Sequence, residues 1–488
     1  MIAGPSQSPN GFGGGPGAIV APRASLSAAL IGSALVAALG GLLFGFDTAV
    51  ISGTTGALQA EYELDSFWLG FTVAGALIGT IFGAIAAGGP SDRFGRKPVL
   101  LALAVFYFVA SIGTALAWDW GSFVAFRVLG GIAVGGASVV SPLYIAEIAP
   151  AAYRGRLVGV QQFNIVLGIL VAFLSNYLIA RLGLGPTEWR WMLGIQAVPS
   201  LLFFILLFPI PESPRWLVGQ GKVAEARTVL ARLGVEPGSE GVDLEVAEIE
   251  RSLVEDRKAG EDTLFRPSYR KPIALAVTIA LFNQLSGINA LMYYAPTIFK
   301  MAGAGEGSAL LQSVAVGGTN LVFTMLAMLI IDQFGRQKLM LVGSVGYIVS
   351  LGTAAWAFYR YGTKFDATGG NVVLASLLVF IASHAFGQGA VIWVFIGEVF
   401  PNRVRARGQA LGCSVHWVMA ALISWTFPVI AERLGGGNTF AFYAAMMVGQ
   451  LVWVLTVMPE TKGVPLEEIQ RRLGSSDKGA TFDFGREL

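Results

Sequence analysis

Long apolar runs recur along almost the whole chain and constrain its fold more than any other feature. Of its 488 residues, 54% are hydrophobic and only 13% are charged, which is too much apolar surface for a fold surrounded by water. A helix needs about 20 predominantly apolar residues to cross a bilayer. The sequence therefore predicts an all-α integral membrane protein. By this measure we predict twelve spans, at 27–52, 67–89, 98–117, 121–146, 157–180, 191–210, 272–299, 309–331, 338–359, 372–397, 408–432 and 439–458.

Three short charged motifs occur twice, and the second copies lie about 240 to 250 residues after the first. The motif at 92–97 returns at 332–338, the Glu-x-x-Pro-x-x-x-Arg motif at 147–154 returns at 398–405, and the Pro-Glu-Ser at 211–213 returns as Pro-Glu-Thr at 459–461. The order of the motifs is kept. We therefore predict two six-helix bundles that arose from one duplicated half, with a substrate site between them.

Polar segments mark the predicted boundaries of these bundles. Residues 1–24 are rich in Gly, Pro and Ser and lack the basic start and cleavage site of a signal peptide, so we predict a disordered cytoplasmic tail. Between an N-terminal bundle at 25–210 and a C-terminal bundle at 272–459, residues 211–271 carry start and stop signals of short intracellular helices. Residues 460–488 are predicted to form a second cytoplasmic tail.

The placement of basic residues predicts the orientation of the chain. Lys and Arg near span ends are retained on the cytoplasmic side, and most of them fall in alternate loops and in segment 211–271. Both termini are therefore predicted to be cytoplasmic. The absence of Asn-x-Ser/Thr favours a bacterial plasma membrane, that is, an inner membrane.

Several classes of protein are disfavoured by the residue types. A single cysteine, Cys413, allows no internal disulfide and no cysteine metal cluster, and His384 and His416 lack the companions that a metal site requires. No nucleophile and base, and no pair of carboxylates, can be placed in one pocket, so we do not expect an enzyme. We expect no metal, no cofactor and no nucleic-acid partner, and the lipid bilayer as the surrounding medium.

Further motifs accompany the repeats: Gly-Leu-Leu-Phe-Gly-Phe-Asp at 41–47, Arg-Val-Leu-Gly-Gly at 127–131, Pro-Glu-Ser-Pro-Arg-Trp at 211–216 and Gln-Leu-Ser-Gly-Ile-Asn at 284–289. Together they resemble the sugar porter family of the major facilitator superfamily, and the likeness extends over residues 27–470. Within that family the chain is similar to the bacterial proton-coupled xylose and hexose symporters. The resemblance implies a monosaccharide importer that works by alternating access as a monomer, with a proton as co-substrate.

Two ionisable residues inside predicted spans are candidates for proton coupling. Asp47 lies near the outer end of span 1, and Arg127 lies about 10 Å into span 4 from its outer start, so the two are predicted to meet. A carboxylate changes its affinity for a proton when a guanidinium approaches or withdraws. A fixed ion pair that merely joins the two spans is the alternative. The resemblance favours coupling because proton symporters of the family carry an acid here, although Gln196 stands where some of them carry a second acid.

Amides and aromatic rings in the middle of spans predict a sugar site. A sugar offers hydroxyls that donate and accept, together with an apolar face, so its site uses amides and indoles rather than charges. Gly287 favours a helix break that turns its neighbours toward one cavity. For an isolated amide, an interhelical hydrogen bond is the alternative, but the resemblance places several of these amides at sugar-contacting positions. The predicted sugar-site residues are Phe44, Gln162, Asn283, Gln284, Asn289, Tyr293, Asn320, Gly389, Trp393, His416 and Trp417.

The predicted site departs from the family pattern at two positions. Asn283 stands where a glutamine is usual, and His416 stands where Gln or Asn is usual. A histidine donates and accepts but can also bind a proton, so sugar binding, an altered pH response and simple packing all stay open for His416. The apolar Ile169 and Met292 at the site favour a hexose over a pentose.

Charged residues at the predicted cytoplasmic span ends suggest an inner gate. A single exposed ion pair contributes only about 0 to 1 kcal/mol, but a network that forms in one state alone biases the equilibrium between outward- and inward-facing forms. Anchoring by the positive-inside rule is the alternative, and it explains the arginines but not the matched carboxylates. The predicted gate residues are Asp92, Arg93, Arg96, Glu147, Arg154, Glu212 and Arg215 in the first half, and Asp332, Arg336, Glu398, Arg405 and Glu460 in the second.

Two other functions compete with proton-coupled import. A passive sugar facilitator agrees with Gln196 but not with Asp47. A sugar receptor that signals without transport would need a larger cytoplasmic module than the two short tails provide.

Overall fold

A computed structural model of the protein describes residues 26–150, 152–235, 239–258, 263–401, 403–464 and 466–473. Within these residues every regular element is helical, as the apolar runs predict. Residues 1–24, predicted as a disordered tail, lie outside the described residues, as do 474–488 of the predicted second tail.

The described helices of the first half begin near the N-terminus and end before residue 210. They are α1 (Ala28–Val50), α2 (Thr55–Glu61), α3 (Ser66–Ala86), α4 (Gly88–Phe94), α5 (Arg96–Ala115), α6 (Trp120–Ile148), α7 (Arg154–Ala180), α8 (Glu188–Gly194) and α9 (Ala197–Leu207). Three helices follow in the polar segment between the halves: α10 (Pro214–Gly219), α11 (Val223–Leu233) and α12 (Ser239–Lys258).

The described helices of the second half follow this polar segment. They are α13 (Arg270–Leu285), α14 (Ile288–Met301), α15 (Glu306–Phe334), α16 (Arg336–Tyr361), α17 (Ala367–Phe386), α18 (Gln388–Val399), α19 (Arg405–Thr456) and α20 (Leu466–Leu473).

Eleven helical segments in the described part of the chain are long and apolar enough to cross a membrane. The last of them, α19, has 52 residues, which at 1.5 Å per residue is about 78 Å, more than twice the hydrocarbon thickness of a bilayer. Its helical geometry is interrupted at Gly435, where φ is 74° and ψ is 164°. It therefore crosses twice, at the two places where the sequence predicts spans 11 and 12, and the number of spans is the predicted twelve.

Glycines allow α3 and α6 to pack with their backbones in contact. A Cβ atom at Gly79 would lie 2.1 Å from the carbonyl oxygen of Val128, and one at Gly131 would lie 1.9 Å from that of Ala76. No side chain fits at such distances, so the small-residue patterns of these spans serve helix packing, as in other membrane bundles.

The two ends of the bundle differ in character. The helices α4, α10, α11 and α12 lie at one end, which we call the charged end because the repeated charged motifs are there. At the opposite end, which we call the capped end, the two halves touch. The Oγ1 atoms of Thr55 and Thr297 are 3.2 Å apart, and the rings of Phe67 and Phe71 lie 5.3 and 5.1 Å from Trp425.

Candidate transport site

A helix break in the second half positions the central amides. Gly287 separates α13 from α14 with a φ of +84°, a conformation that costs a residue with a Cβ about 1 to 2 kcal/mol. A Cβ atom there would also lie 2.8 Å from the ring of Tyr443. The break predicted at this glycine is therefore present, and it turns the end of α13 and the start of α14 into one group of polar side chains.

Three predicted residues form a continuous row of amides at this break. Asn289 donates from Nδ2 to Oε1 of Gln284 at 2.9 Å, and Gln284 donates from Nε2 to Oδ1 of Asn283 at 3.0 Å. The same Nε2 atom lies 3.3 Å from the imidazole nitrogens of His416. Asn289 is half-buried while Gln284 and Asn283 are buried, so the row runs from a partly accessible amide into the interior.

Aromatic rings continue from this row to the other half of the molecule. The ring of His416 lies 5.0 Å from that of Trp393 and 5.0 Å from that of Trp417. Trp417 in turn lies 5.5 Å from Phe44 on α1. Trp393 keeps 37% of its surface exposed although it lies within a span. These rings and the amide row together provide the polar and apolar surfaces that a sugar ring requires.

The other predicted sugar-site residues lie around this group. Tyr293 is buried. Asn320 on α15 is buried and accepts a hydrogen bond from Thr324 at 3.4 Å. A Cβ atom at Gly389 would lie 3.1 Å from the carbonyl oxygen of His384, so this glycine allows close packing at the start of α18.

Gln162 on α7 is half-buried. In the described part of the chain, neither it nor Asn320 hydrogen-bonds to the amide row. Its neighbour Gln161 is buried, and both of its side-chain amide atoms lack a described partner.

Three residues that the sequence analysis did not select extend the amide row inward. Gln388 accepts from Asn283, Gln450 accepts from Gln388, and Ser344 accepts from Gln450. A complete count of amides inside spans would have included Gln388 and Gln450. Their partners depend on how four spans pack together, which no local pattern reveals.

The predicted ion pair between Asp47 and Arg127 is present. Nη1 of Arg127 donates to Oδ1 of Asp47 at 2.8 Å, and the two side chains are 3% and 7% exposed. Nε and Nη2 of Arg127 and the hydroxyl of Tyr107 are buried without a described partner. The pair therefore rests on one described hydrogen bond beside other unused donors, an arrangement with room to change its partners.

At the charged end, the first half contains a buried cluster built on Arg96. This side chain donates from Nε and Nη2 to the two carboxylate oxygens of Glu147, both at 2.8 Å, and from Nη1 to Asp92 at 3.2 Å. Glu212 accepts from the backbone nitrogen of Arg96 at 3.0 Å. Burial raises the pKa of the Glu212 carboxyl, although backbone donors and the charge of Arg96 oppose this change.

The second half contains the equivalent cluster. Arg336 donates to both oxygens of Glu398, at 3.2 and 2.8 Å, and its backbone nitrogen donates to Glu460 at 2.9 Å. Gly335 precedes Arg336 with a φ of +92°, and a Cβ atom there would lie 2.5 Å from Glu460. Because each of these ion pairs lies within one half, they brace the helix ends of that half, and a role in gating stays a prediction.

The remaining predicted gate residues make other contacts. Arg93 lies over the ring of Phe94 at 5.1 Å, Arg215 donates to Ser252 at 3.2 Å, and Arg405 donates to the carbonyl oxygen of Phe400 at 3.4 Å. The side chain of Asp332 lies outside the described residues.

A cavity of about 250 Å³ lies between the charged end of α6 and α7 and the linker helices. Arg154 and Glu147 line it together with Glu245 of α12, a residue that the sequence analysis did not select. Burial and the nearby Glu248 raise the pKa of the Glu245 carboxyl, while Arg154 opposes this change. Glu245 is thus a further candidate for contact between the linker and the first half.

A comparison with known protein families covers both halves of the molecule and the linker between them. Residues 33–473 match the family described as "Sugar (and other) transporter". The chain belongs to this sugar transporter family. It is therefore a multi-pass membrane transporter and not an enzyme. Among the described residues, no group of three or more His, Cys, Asp or Glu that could hold a metal occurs.

Similar members of the sugar transporter family carry related names. The D-xylose-proton symporter of Escherichia coli K12 is 38% identical over 472 residues, covering 89% of this chain and 94% of its own. The arabinose-proton symporter of Bacillus subtilis 168 is 37% identical, with 89% and 93% covered. The glucose transport protein of Synechocystis is also 37% identical, with 89% and 95% covered.

Solved structures from the sugar transporter family agree with the fold. The partially occluded inward-open xylose transporter of E. coli matches with a TM-score of 0.79 at 37% identity, covering 90% of this chain and all of that one. The proton:xylose symporter bound to 6-bromo-6-deoxy-D-glucose matches with a TM-score of 0.73 at 37% identity, covering 92% of this chain and all of that one. The higher score belongs to the structure described as inward-open.

Proposed function

We propose that this protein is a proton-coupled monosaccharide symporter that imports sugar by alternating access. The observation that carries the proposal is on α1, where Phe44 contacts the aromatic group of the candidate sugar site and Asp47 pairs with Arg127. A single helix thus links the sugar site to a buried carboxylate. The names of the xylose-proton and arabinose-proton symporters support the same reading.

The amide row and the aromatic rings would hold the sugar between the halves. Sugar hydroxyls would exchange hydrogen bonds with Asn289 and Gln284, and the apolar face of the ring would pack on Trp393. Because Trp417 belongs to the second half and Phe44 to the first, a sugar that draws the halves together shifts α1. A shift of α1 changes the distance between Asp47 and Arg127 and with it the affinity of Asp47 for a proton.

The orientation follows from the two ends of the bundle. We place the charged end and both termini in the cytoplasm, because basic residues at span ends are retained there. The capped end is then external, and its closure by Thr55 and Thr297 fits a molecule that faces inward, in line with the inward-open match. We place the protein in a bacterial plasma membrane, acting as a monomer, with no cofactor besides the proton as co-substrate.

A passive facilitator is the second candidate. Gln196 is buried at the junction of α8 and α9, and a neutral amide there offers no second proton-binding group. If Asp47 only joined α1 to α6, sugar would cross without protons. The two candidates therefore differ in whether protons accompany the sugar.

The test is the pH change in a lightly buffered suspension of de-energised cells when D-glucose, D-xylose or L-arabinose is added. Symport predicts alkalinisation of the medium with at least one sugar, and its loss in the Asp47→Asn variant. Asp65→Asn, which changes an exposed helix cap at the capped end, is the matched control and keeps the signal. Entry of labelled sugar without alkalinisation would establish the facilitator instead.

A further inference from the structure

A series of hydrogen bonds leaves the candidate sugar site and runs through the interior of the second half. Nδ2 of Asn283 donates to Oε1 of Gln388 at 3.3 Å, and Nε2 of Gln388 donates to Oε1 of Gln450. Nε2 of Gln450 donates to Oγ of Ser344 at 2.8 Å. The hydroxyl of Ser344 donates in turn to the backbone carbonyl of Met340 at 2.7 Å. The series thus joins α13, α18, the second span of α19, and α16.

The last acceptor gives the series a direction. A backbone carbonyl only accepts, so the hydroxyl of Ser344 is used as a donor and its oxygen has to accept from Gln450. Each amide before it is then oriented in the same sense. Reversing one amide alone would set donor against donor on one side and acceptor against acceptor on the other.

Burial makes such a reversal costly. Gln388, Gln450 and Ser344 are fully buried, and Asn283 nearly so. A buried polar group that loses its partner costs about 1 to 3 kcal/mol. The orientation of the amides is therefore determined by the buried end of the series at Ser344 and not by groups at the sugar site.

The consequence at the site concerns Gln284. One N–H of Gln284 is used by Asn283, and its carbonyl oxygen accepts from Asn289. The second N–H therefore points to His416, whose facing ring nitrogen has to accept. Asn289 stands at the head of the series, and its carbonyl oxygen has no described protein partner. A sugar hydroxyl at this position would meet a defined acceptor.

We propose that Gln388 and Gln450 are positioning residues that fix, through Asn283 and Gln284, which amide atom of Asn289 faces the sugar. The inference rests on the proposed function, which supplies the sugar. These two glutamines lie on the inner side of the amide row and do not contact the sugar. They affect how strongly the site prefers a sugar that carries the hydroxyl over an analogue that lacks it. Without them, Gln284 and Asn289 adopt both orientations, and the acceptor for the sugar hydroxyl is present only part of the time.

The experiment measures binding to the purified full chain by tryptophan fluorescence. The probes are D-glucose, or D-xylose if D-glucose does not bind, and the monodeoxy analogues of the same sugar. The variants are Gln450→Met and Ser344→Ala, which interrupt the series at two points. The control is Gln312→Met, a change at a half-buried amide of α15 whose hydrogen bond to Ser308 is exposed and lies outside the series.

One analogue lacks the hydroxyl that donates a hydrogen bond to Asn289. It is expected to bind the wild-type protein more weakly than the parent sugar does. In Gln450→Met and Ser344→Ala the parent sugar should lose about fivefold in affinity, the equivalent of one net hydrogen bond of about 1 kcal/mol, while that analogue loses little. The ratio of the affinity for the parent sugar to the affinity for the analogue therefore falls in both variants and stays at the wild-type value in Gln312→Met. A wild-type ratio in both series variants would overturn the proposal.

Two further variants separate this inference from the proposed function. If Gln284→Ala and Asn289→Ala bind the parent sugar as wild type does, the sugar site itself is wrong, and the inference falls with it. If they weaken binding but the series variants keep the wild-type ratio, only the inference is wrong. Should Gln450→Met fail to fold by size-exclusion chromatography, Ser344→Ala decides the matter, since it removes a single hydroxyl.

Discussion

Phe44 and Asp47 lie three residues apart on α1, the first against Trp417 of the second half and the second paired with Arg127 of the first. Residues at this spacing are neighbours on one helix face and move together. A displacement of α1 that follows sugar binding therefore acts directly on the ion pair. This relationship gives the proposed coupling a physical route that involves one helix.

Removal of Arg127 tests how the ion pair contributes to stability and coupling. Arg127→Gln leaves Asp47 buried without its partner, which typically costs about 3 to 5 kcal/mol for a buried pair. Because the ion pair can then no longer form and break during transport, sugar exchange should continue while uphill accumulation is lost.

The double variant Asp47→Asn/Arg127→Gln provides the control for this prediction. It removes both charges, and its melting temperature should exceed that of Arg127→Gln alone. A double variant as unstable as the single one would show that the charge of Asp47 is not what Arg127 stabilises. Thermal unfolding in detergent and counterflow of labelled sugar measure the two effects.

The helix break at Gly287 predicts a second result. Gly287→Ala places a Cβ at a φ of +84° and 2.8 Å from Tyr443, so we expect a loss of at least about 1 to 2 kcal/mol and weaker sugar binding. Gly352→Ala is the control, because nothing lies within 4 Å of that position in α16 and alanine favours a helix. Equal melting temperatures for the two variants would contradict the role assigned to the break.

The clusters at the charged end predict unequal effects of one chemical change. In the first cluster the Arg96 and Glu147 side chains are 9% and 6% exposed, whereas Arg336 and Glu398 in the second are 10% and 23% exposed. A carboxylate that is more exposed gives a weaker ion pair. Glu147→Gln should therefore lower the melting temperature more than Glu398→Gln. A larger effect of Glu398→Gln would show that exposure does not determine the strength of these clusters.

The raised pKa of Glu245 predicts a dependence of stability on pH. A carboxyl group whose pKa is higher in the folded state favours folding at low pH, and this contribution is lost as pH rises through that pKa. Glu245→Gln imitates the protonated form. Its melting temperature should exceed that of wild type at pH 8 and approach the wild-type value at pH 4. A difference that does not change with pH would show that the effect does not come from ionisation.

The membrane architecture could be predicted from the sequence because every helix that crosses lipid needs a long apolar run. The sequence located Gly287 because a glycine between amides is unusual inside a span, and it paired Asp47 with Arg127 because few charges are available there. The structure differs in detail at predicted spans 11 and 12, which are joined through Gly435 without a loop.

The inner hydrogen-bond series and Glu245 could not be predicted from the sequence. Gln388 and Gln450 are each single amides in separate spans, and their contact depends on the packing of those spans. Glu245 belongs to an ordinary charged helix, and only the fold brings it to Arg154. The preference for a hexose over a pentose suggested by Ile169 and Met292 remains a prediction. Both residues are buried.

The most direct test of the account is a simultaneous measurement of sugar and proton flux in proteoliposomes that contain the purified protein and a sugar gradient. With wild type, the sugar that runs down its gradient should carry protons across the membrane, and Asp47→Asn should move sugar alone. Sugar flux without proton flux in wild type, or proton flux that persists in Asp47→Asn, would contradict the proposal that Asp47 couples the two.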